Sequence, residues 1–164
     1  MTSTQLQNSP QVGDPAPDFS AASTSGSEVS LSSFRGKRNV LLAFFPLAFT
    51  GTCSKELICF TEDFDQFAGE GVEILPISVD SIPSLREFKN KLHMKNDLLS
   101  DFRRDISRAY GVLNEDRFYS NRAYFLIDKA GRVRWSHVET NNSLRREDSE
   151  ILVEISKLNS NPGS

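Results

Sequence analysis

Asn39-Val40-Leu41-Leu42-Ala43-Phe44-Phe45-Pro46-Leu47-Ala48-Phe49-Thr50-Gly51-Thr52-Cys53 runs from an apolar stretch, through a proline, into a short loop ending on a cysteine. Its first seven residues are almost continuously apolar and follow the turn-forming Arg35-Gly36-Lys37-Arg38. That is the pattern of a strand covered on both faces. Pro46 cannot continue a β-ladder, so the strand stops there. Thr52 is a good N-cap, which places Cys53 in the first turn of a helix. Leu57, Phe60, Phe64, Phe67 and Ala68 then recur at three- and four-residue spacings, predicting one amphipathic helix over Cys53 to Gly69.

Outward from this unit, strand-like and helix-like segments alternate. Val72 to Val79 is a second apolar strand, and Pro83 opens a helix with Leu85, Phe88 and Leu92 on one side. A short apolar stretch at Leu98-Leu99 leads to a helical turn with Ile106, Ala109 and Tyr110 that ends at Gly111. Ala123 to Ile127 and Val133 to Val138 flank the turn Asp128-Lys129-Ala130-Gly131 as a β-hairpin. A last helix over Arg146 to Leu158 would bury Ile151, Leu152, Ile155 and Leu158. Crossover helices early and an antiparallel hairpin late imply an α/β domain, a mixed central β-sheet with helices on both faces. The thioredoxin fold is one member of that class, and the order of elements alone does not single it out. Residues 1–11 read as a disordered tail, 12–158 as a single domain and 159–164 as a C-terminal tail.

With 164 residues, 25% of them charged and 38% hydrophobic, the composition is that of an ordinary globular domain. A net charge of −3 argues against nucleic-acid binding, which needs a basic surplus. The longest mainly apolar run, Val40 to Phe49, is about half the ~20 residues of a membrane span and carries Pro46. The polar start, MTSTQLQNSP, has no secretory pattern, so a cytoplasmic location is expected. Two cysteines and two histidines, widely separated apart from the cysteine pair, do not make a zinc site of the usual kind.

Cys53 is therefore the residue to explain. The first N–H groups of a helix have no helical partner and the dipole is positive there, so a thiolate is favoured over a thiol. Cysteine pKa values of ~3.5 to 7.5 occur in such settings. A cysteine that only packs has no use for a loop, a cap and a helix start.

PLAFTGTC reproduces the P-x-x-x-T-x-x-C signature of peroxiredoxins, the AhpC/TSA superfamily. The opening Val12-Gly13-Asp14-Pro15-Ala16-Pro17-Asp18-Phe19 is similar to that family's V-G-x-x-A-P-D-F. So are Leu31-Ser32-Ser33-Phe34-Arg35-Gly36, Leu99-Ser100-Asp101 with Ala109-Tyr110-Gly111-Val112, and Asn121 to Asp128 to their family counterparts. PLAFTG and YGVLNE most resemble the one-cysteine alkyl hydroperoxide reductase E group. The resemblance implies a thioredoxin-like fold and a thiol-dependent peroxidase for hydrogen peroxide and organic hydroperoxides. Cys53 would be the nucleophile that becomes a sulfenic acid. Thr50 would offer its hydroxyl to sulfur and peroxide, and Pro46 would shield the sulfur from water. Arg122 would lower the pKa of Cys53 and stabilise the leaving oxygen, with Glu56 orienting the arginine. No cofactor is implied, and the partners would be a small thiol or a thioredoxin- or glutaredoxin-like reductant and a second copy of the chain.

Cys59 departs from the two-cysteine patterns of the family. Six residues of helix rise about 9 Å and turn the side chains to different faces, beyond the ~7 Å Cα separation a disulfide tolerates. Cys59 is accordingly expected in the core, and a Cys53–Cys59 bond would need the helix to unwind, with Leu57, Ile58 and Phe60 leaving their packing. The alternatives are a thioredoxin-type thiol–disulfide oxidoreductase, which usually carries C-x-x-C, and a non-catalytic redox sensor or holdase. Here the first is met by Cys53-Ser54-Lys55-Glu56, and the second by the presence of proline, threonine and arginine together.

Overall fold

The computed structural model describes residues 9–141 and 144–160, the side chain of Cys53 excepted. Of the two expected tails, residues 1–8 and 161–164 lie outside the described residues.

The chain opens with a short hairpin, β1 (Ser20–Ser23) and β2 (Glu28–Ser30), followed by a 3₁₀ turn at Leu31–Phe34. The quoted apolar run forms β3 (Asn39–Phe44). Two helices follow where one was expected, α1 (Gly51–Glu62) and α2 (Phe64–Gly69). The break falls at Asp63, whose φ of −96° and ψ of 12° leave the helical region. Next come β4 (Val72–Ser78), α3 (Ile82–Leu92), β5 (Leu99–Ser100), α4 (Asp105–Ala109) and the small pair β6 (Leu113–Asn114) and β7 (Tyr119–Ser120). The predicted hairpin is β8 (Ala123–Ile127) and β9 (Val133–Val138), antiparallel with a register shift between Leu126 and Ile127. Gly131 closes its turn at φ +83°, where a Cβ would come within 2.8 Å of the Arg35 side chain. Helix α5 (Asp148–Ser160) starts two residues later than expected and continues through Asn159 and Ser160, which the sequence assigned to the tail. Asn159 is held there by an Nδ2 hydrogen bond to the Glu70 carbonyl at 3.0 Å.

The seven-stranded sheet has the order β2-β1-β5-β4-β3-β8-β9. β3 and β4 pair in parallel over six residues, as do β4 and β5 over two, and the other neighbours are antiparallel. Every residue of β3 is buried. Successive side chains of a strand point to opposite faces, and β3 divides accordingly. Leu41 and Ala43 join Leu57, Phe60, Leu85, Phe88, Ile151 and Ile155 beneath the long helices. Val40, Leu42 and Phe44 join Ile77, Ile106, Tyr110 and Phe125 on the other face. Two cores thus clamp the strand from which the cysteine loop departs.

Candidate active site

The loop after β3 is held from several directions. The Phe45 N–H bonds to the Ile77 carbonyl at 3.0 Å, carrying the parallel ladder one step past the end of the strand. The Ser120 hydroxyl donates to the Phe45 carbonyl at 3.3 Å. Pro46 follows and is buried. Asp80, just beyond β4, accepts the Ala48 N–H at 2.8 Å and the Ser78 hydroxyl at 2.7 Å on one carboxylate oxygen. Phe49 takes a left-handed φ of 66° and lays its exposed ring against Phe88, with centroids 4.9 Å apart. A non-glycine residue in that region is uncommon and is kept there by its surroundings. Asp80 supplies that constraint from the neighbouring strand.

The helix begins earlier than the sequence suggested. Thr50, not Thr52, is the N-cap, and Thr52 is the second helical residue. The Thr50 hydroxyl donates back to the Leu47 carbonyl at 3.0 Å and does not cap the helix. The loop needs that turn to close over Phe49, which leaves the cap to the backbone. The first helical hydrogen bond is Ser54 N–H to Thr50 carbonyl at 2.9 Å. Cys53 is therefore the third residue of the helix, still within its positive first turn.

Glu56 lies three residues beyond Cys53 in α1. Its carboxylate meets Arg122, which stands immediately before β8, at 3.0 Å between Nη1 and Oε1, and each side chain is 1% exposed. Arg122 is thus no surface charge: it enters the core against Glu56 of α1, and the Glu139 N–H bonds to its carbonyl at 2.9 Å. Burial pushes the Glu56 carboxyl above its ordinary range, while Arg122 and the Tyr124 hydroxyl act the other way. The structure therefore brings Pro46 and Thr50 together in one loop and Glu56 and Arg122 together in one ion pair, with the Cys53 backbone between them along the chain.

Three residues of the site were not singled out from sequence: Asp80, Ser120 and Tyr124. Asp80 could have been suspected from its place at the carboxyl end of a parallel strand. Tyr124 could have been noticed as the one hydroxyl in the strand AYFLI, because a buried Tyr O–H needs a partner.

Cys59 is half-buried, not a core residue, and Ile58 beside it is 37% exposed. The inward stripe of α1 is Glu56, Leu57 and Phe60, and on a helix the two residues between Leu57 and Phe60 face away from it. Burial raises the Cys59 pKa, Arg145 opposing it. Phe64, expected on the same stripe, is also only half-buried, with the Lys95 ammonium 5.8 Å over its ring. Among the described residues no group of three or more His, Cys, Asp or Glu side chains could hold a metal ion. Among them, too, no helix is long and apolar enough to cross a membrane.

Residues 12–136 match the AhpC/TSA family. Alkyl hydroperoxide reductase E of Mycobacterium tuberculosis is 37% identical over 136 residues, covering 82% of this chain and 89% of that one. The chloroplastic 2-Cys peroxiredoxin BAS1 of Hordeum vulgare is 35% identical over 159 residues, covering 91% and 75%. The reduced crystal structure of Plasmodium vivax 2-Cys peroxiredoxin superposes with a TM-score of 0.86 at 38% identity, over 92% of this chain and 83% of that one.

Proposed function

Because the chain belongs to the AhpC/TSA family, and is a thiol-dependent peroxidase on a thioredoxin-like fold, we propose that it turns over by a one-cysteine cycle on Cys53. The observation that carries Cys53 as the reacting group is the buried Arg122–Glu56 pair, whose glutamate lies three residues beyond Cys53 in α1. The first-turn dipole and the Arg122 charge favour the thiolate. The thiolate attacks one peroxide oxygen of hydrogen peroxide or an organic hydroperoxide, forming an S–O bond as the O–O bond breaks. Sulfur loses two electrons, and the departing hydroxide or alkoxide takes a proton and leaves as water or alcohol. The fixed guanidinium fork of Arg122 compensates the charge growing on that oxygen. The Thr50 hydroxyl, its proton held by the Leu47 carbonyl, accepts the peroxide O–H on its free lone pair, and buried Pro46 keeps water from the sulfur.

Recycling falls to an outside thiol, a small one or a thioredoxin- or glutaredoxin-like protein. It attacks the sulfenic acid to give a mixed disulfide and water, and a second thiol restores Cys53. What supports this step is the unbroken helix from Gly51 to Glu62, which carries both cysteines. A thioredoxin-type exchange enzyme would use a second cysteine where Glu56 stands. We further propose a homodimer in the cytoplasm, with exposed Phe102 and Phe118 providing apolar surface. Light scattering that returns a monomer, or fractionation that finds the protein in an organelle, would correct those two points.

Cys53→Ser tests the cycle. Stopped-flow peroxide consumption should fall to background while near-ultraviolet circular dichroism stays that of the parent. Turnover near the parent rate would end the assignment of Cys53.

A further inference from the structure

The geometry points to Tyr124 as a positioning residue for this peroxidase, whose hydroxyl fixes Glu56 and, through Glu56, the attitude of Arg122. This rests on the roles of Arg122 and Glu56 given above and adds a group that acts on them without touching peroxide.

The Glu56 carboxylate has its two oxygens committed to two different partners. Oε1 meets Arg122 Nη1 at 3.0 Å, and Oε2 accepts the Tyr124 hydroxyl in a short hydrogen bond. The hydroxyl itself has no rotational choice. Its oxygen accepts the backbone N–H of Arg146 at 3.0 Å, so its single proton is left to point at Glu56. The N–H belongs to the segment that leads into α5, and that segment is itself tied down. Arg146 Nε bonds Glu139 Oε2 at 2.9 Å, and the Glu139 N–H bonds the Arg122 carbonyl at 2.9 Å. The chain of contacts therefore closes on itself: Arg122 side chain, Glu56, Tyr124, Arg146, Glu139, Arg122 backbone.

Each member has a reason to be there. A carboxylate this deep must have both oxygens satisfied or it takes up a proton. Once protonated, it would leave Arg122 as an uncompensated buried charge, free to swing away from α1. Tyr124 prevents this because it remains a donor at any working pH: burial first, and the Glu56 charge after it, push its ionisation above the ordinary tyrosine range. Phenylalanine would fill the same space in the core against Trp135, whose ring lies 6.3 Å away. The tyrosine is distinguished by its oxygen alone.

Tyr124→Phe is the first test. The rate constant for peroxide reduction at neutral pH should drop roughly tenfold, the scale of one hydrogen bond to a charged group. Its pH profile should gain an acid limb at higher pH than the parent's, since Glu56 then takes a proton more readily. Glu56→Gln should abolish that limb, and Tyr124→Phe combined with Glu56→Gln should be no slower than Glu56→Gln alone. A parent-like rate and profile in Tyr124→Phe, or losses that multiply in the double variant, would overturn the inference. Should Tyr124→Phe fail to fold, the three tyrosines can be replaced by 3-fluorotyrosine, a more acidic phenol and stronger donor. The Glu56 limb should then move to lower pH, and an unmoved limb overturns the inference as surely. Cys53→Ser, measured alongside, separates the two levels. If it is inactive and Tyr124→Phe is normal, only the role of Tyr124 falls.

Discussion

Arg122 and Glu56 share a place where neither could remain charged alone, since an unpaired ion at that depth costs several kcal/mol. Arg122 announces itself in the sequence as a charge standing before a strand as apolar as AYFLI. Glu56 does not: a glutamate in a helix is ordinarily a solvated one, and only the resemblance marked it. Tyr124 stayed hidden because in a hydropathy pattern its ring counts as core and its oxygen does not register. Arg122→Ala should slow the peroxide step by about 10² to 10³, the loss seen when a donor to a developing oxyanion is removed. The defect should persist at a pH where Cys53 is fully ionised, because in the proposed cycle the same charge also serves the leaving oxygen. Lysine should restore only part, being a point charge without the planar fork. Stopped-flow rates across pH decide this, and full recovery at high pH would limit Arg122 to deprotonating Cys53.

Among elements, α1 carries Cys53 and Glu56, and its limits show what local pattern can and cannot reveal. The apolar spacing continues from Leu57 to Phe67 across a break that a single aspartate makes. The periodicity therefore places Leu57, Phe60 and Phe67 correctly, overstates the burial of Phe64 and Ala68, and predicts the helix count wrongly. Asp63, at that break, meets Asp148 at the start of α5, and Asp148 is 6% exposed. Neither Asp148 oxygen has a donor among the described residues, so the two carboxyls hydrogen-bond only when one is protonated. Burial first, and Asp63 after it, push the Asp148 pKa up to about 8, with Glu56 adding to the shift and Arg145 opposing it. An unfolded aspartate titrates near ~3.9, so the fold holds an extra proton between the two values. The stability this supplies is complete below the lower value and is lost as pH rises through the upper one. Asp148→Asn donates permanently, and should be more stable than the parent at pH 9 by roughly 1.5 kcal/mol or more. Equal pH slopes in urea unfolding would refute it. The same helix bears on recycling. Cys59→Ser should retain full peroxide reduction and nearly full recycling, and a stoichiometric Cys53–Cys59 disulfide in nonreducing peptide maps would contradict this. Half exposure of Cys59 does not alter that expectation, since separation along an intact α1 is the obstacle.

At the scale of the molecule, a mixed sheet with helices on both faces was legible from the alternation of elements, whereas the order of strands was not. β1 and β2 are too short and too polar to register as strands, and β5 has only two residues; β2 is defined by its hairpin with β1, and β1 and β5 by pairing with each other across the chain. The two cores are separated by the sheet. Leu41→Ala and Leu42→Ala empty opposite faces of β3 and should each cost about 2–5 kcal/mol. Their double variant should be additive to within about half a kcal/mol, because the side chains share no neighbours. A large coupling in chemical denaturation would show the faces to be one cooperative core. The sheet is also unevenly sewn. β1 joins β5 through two residue pairs and β5 joins β4 through two, against six between β3 and β4 and five between β3 and β8. Wear begins where the stitching is sparse, and here the sparse seam borders the β1–β2 hairpin, with β4 lying between it and the strand that launches Cys53. The molecule carries a sacrificial margin. Heat or protease should fray that outer hairpin first, while the loop leading to Cys53 keeps its footing on the densest part of the weave.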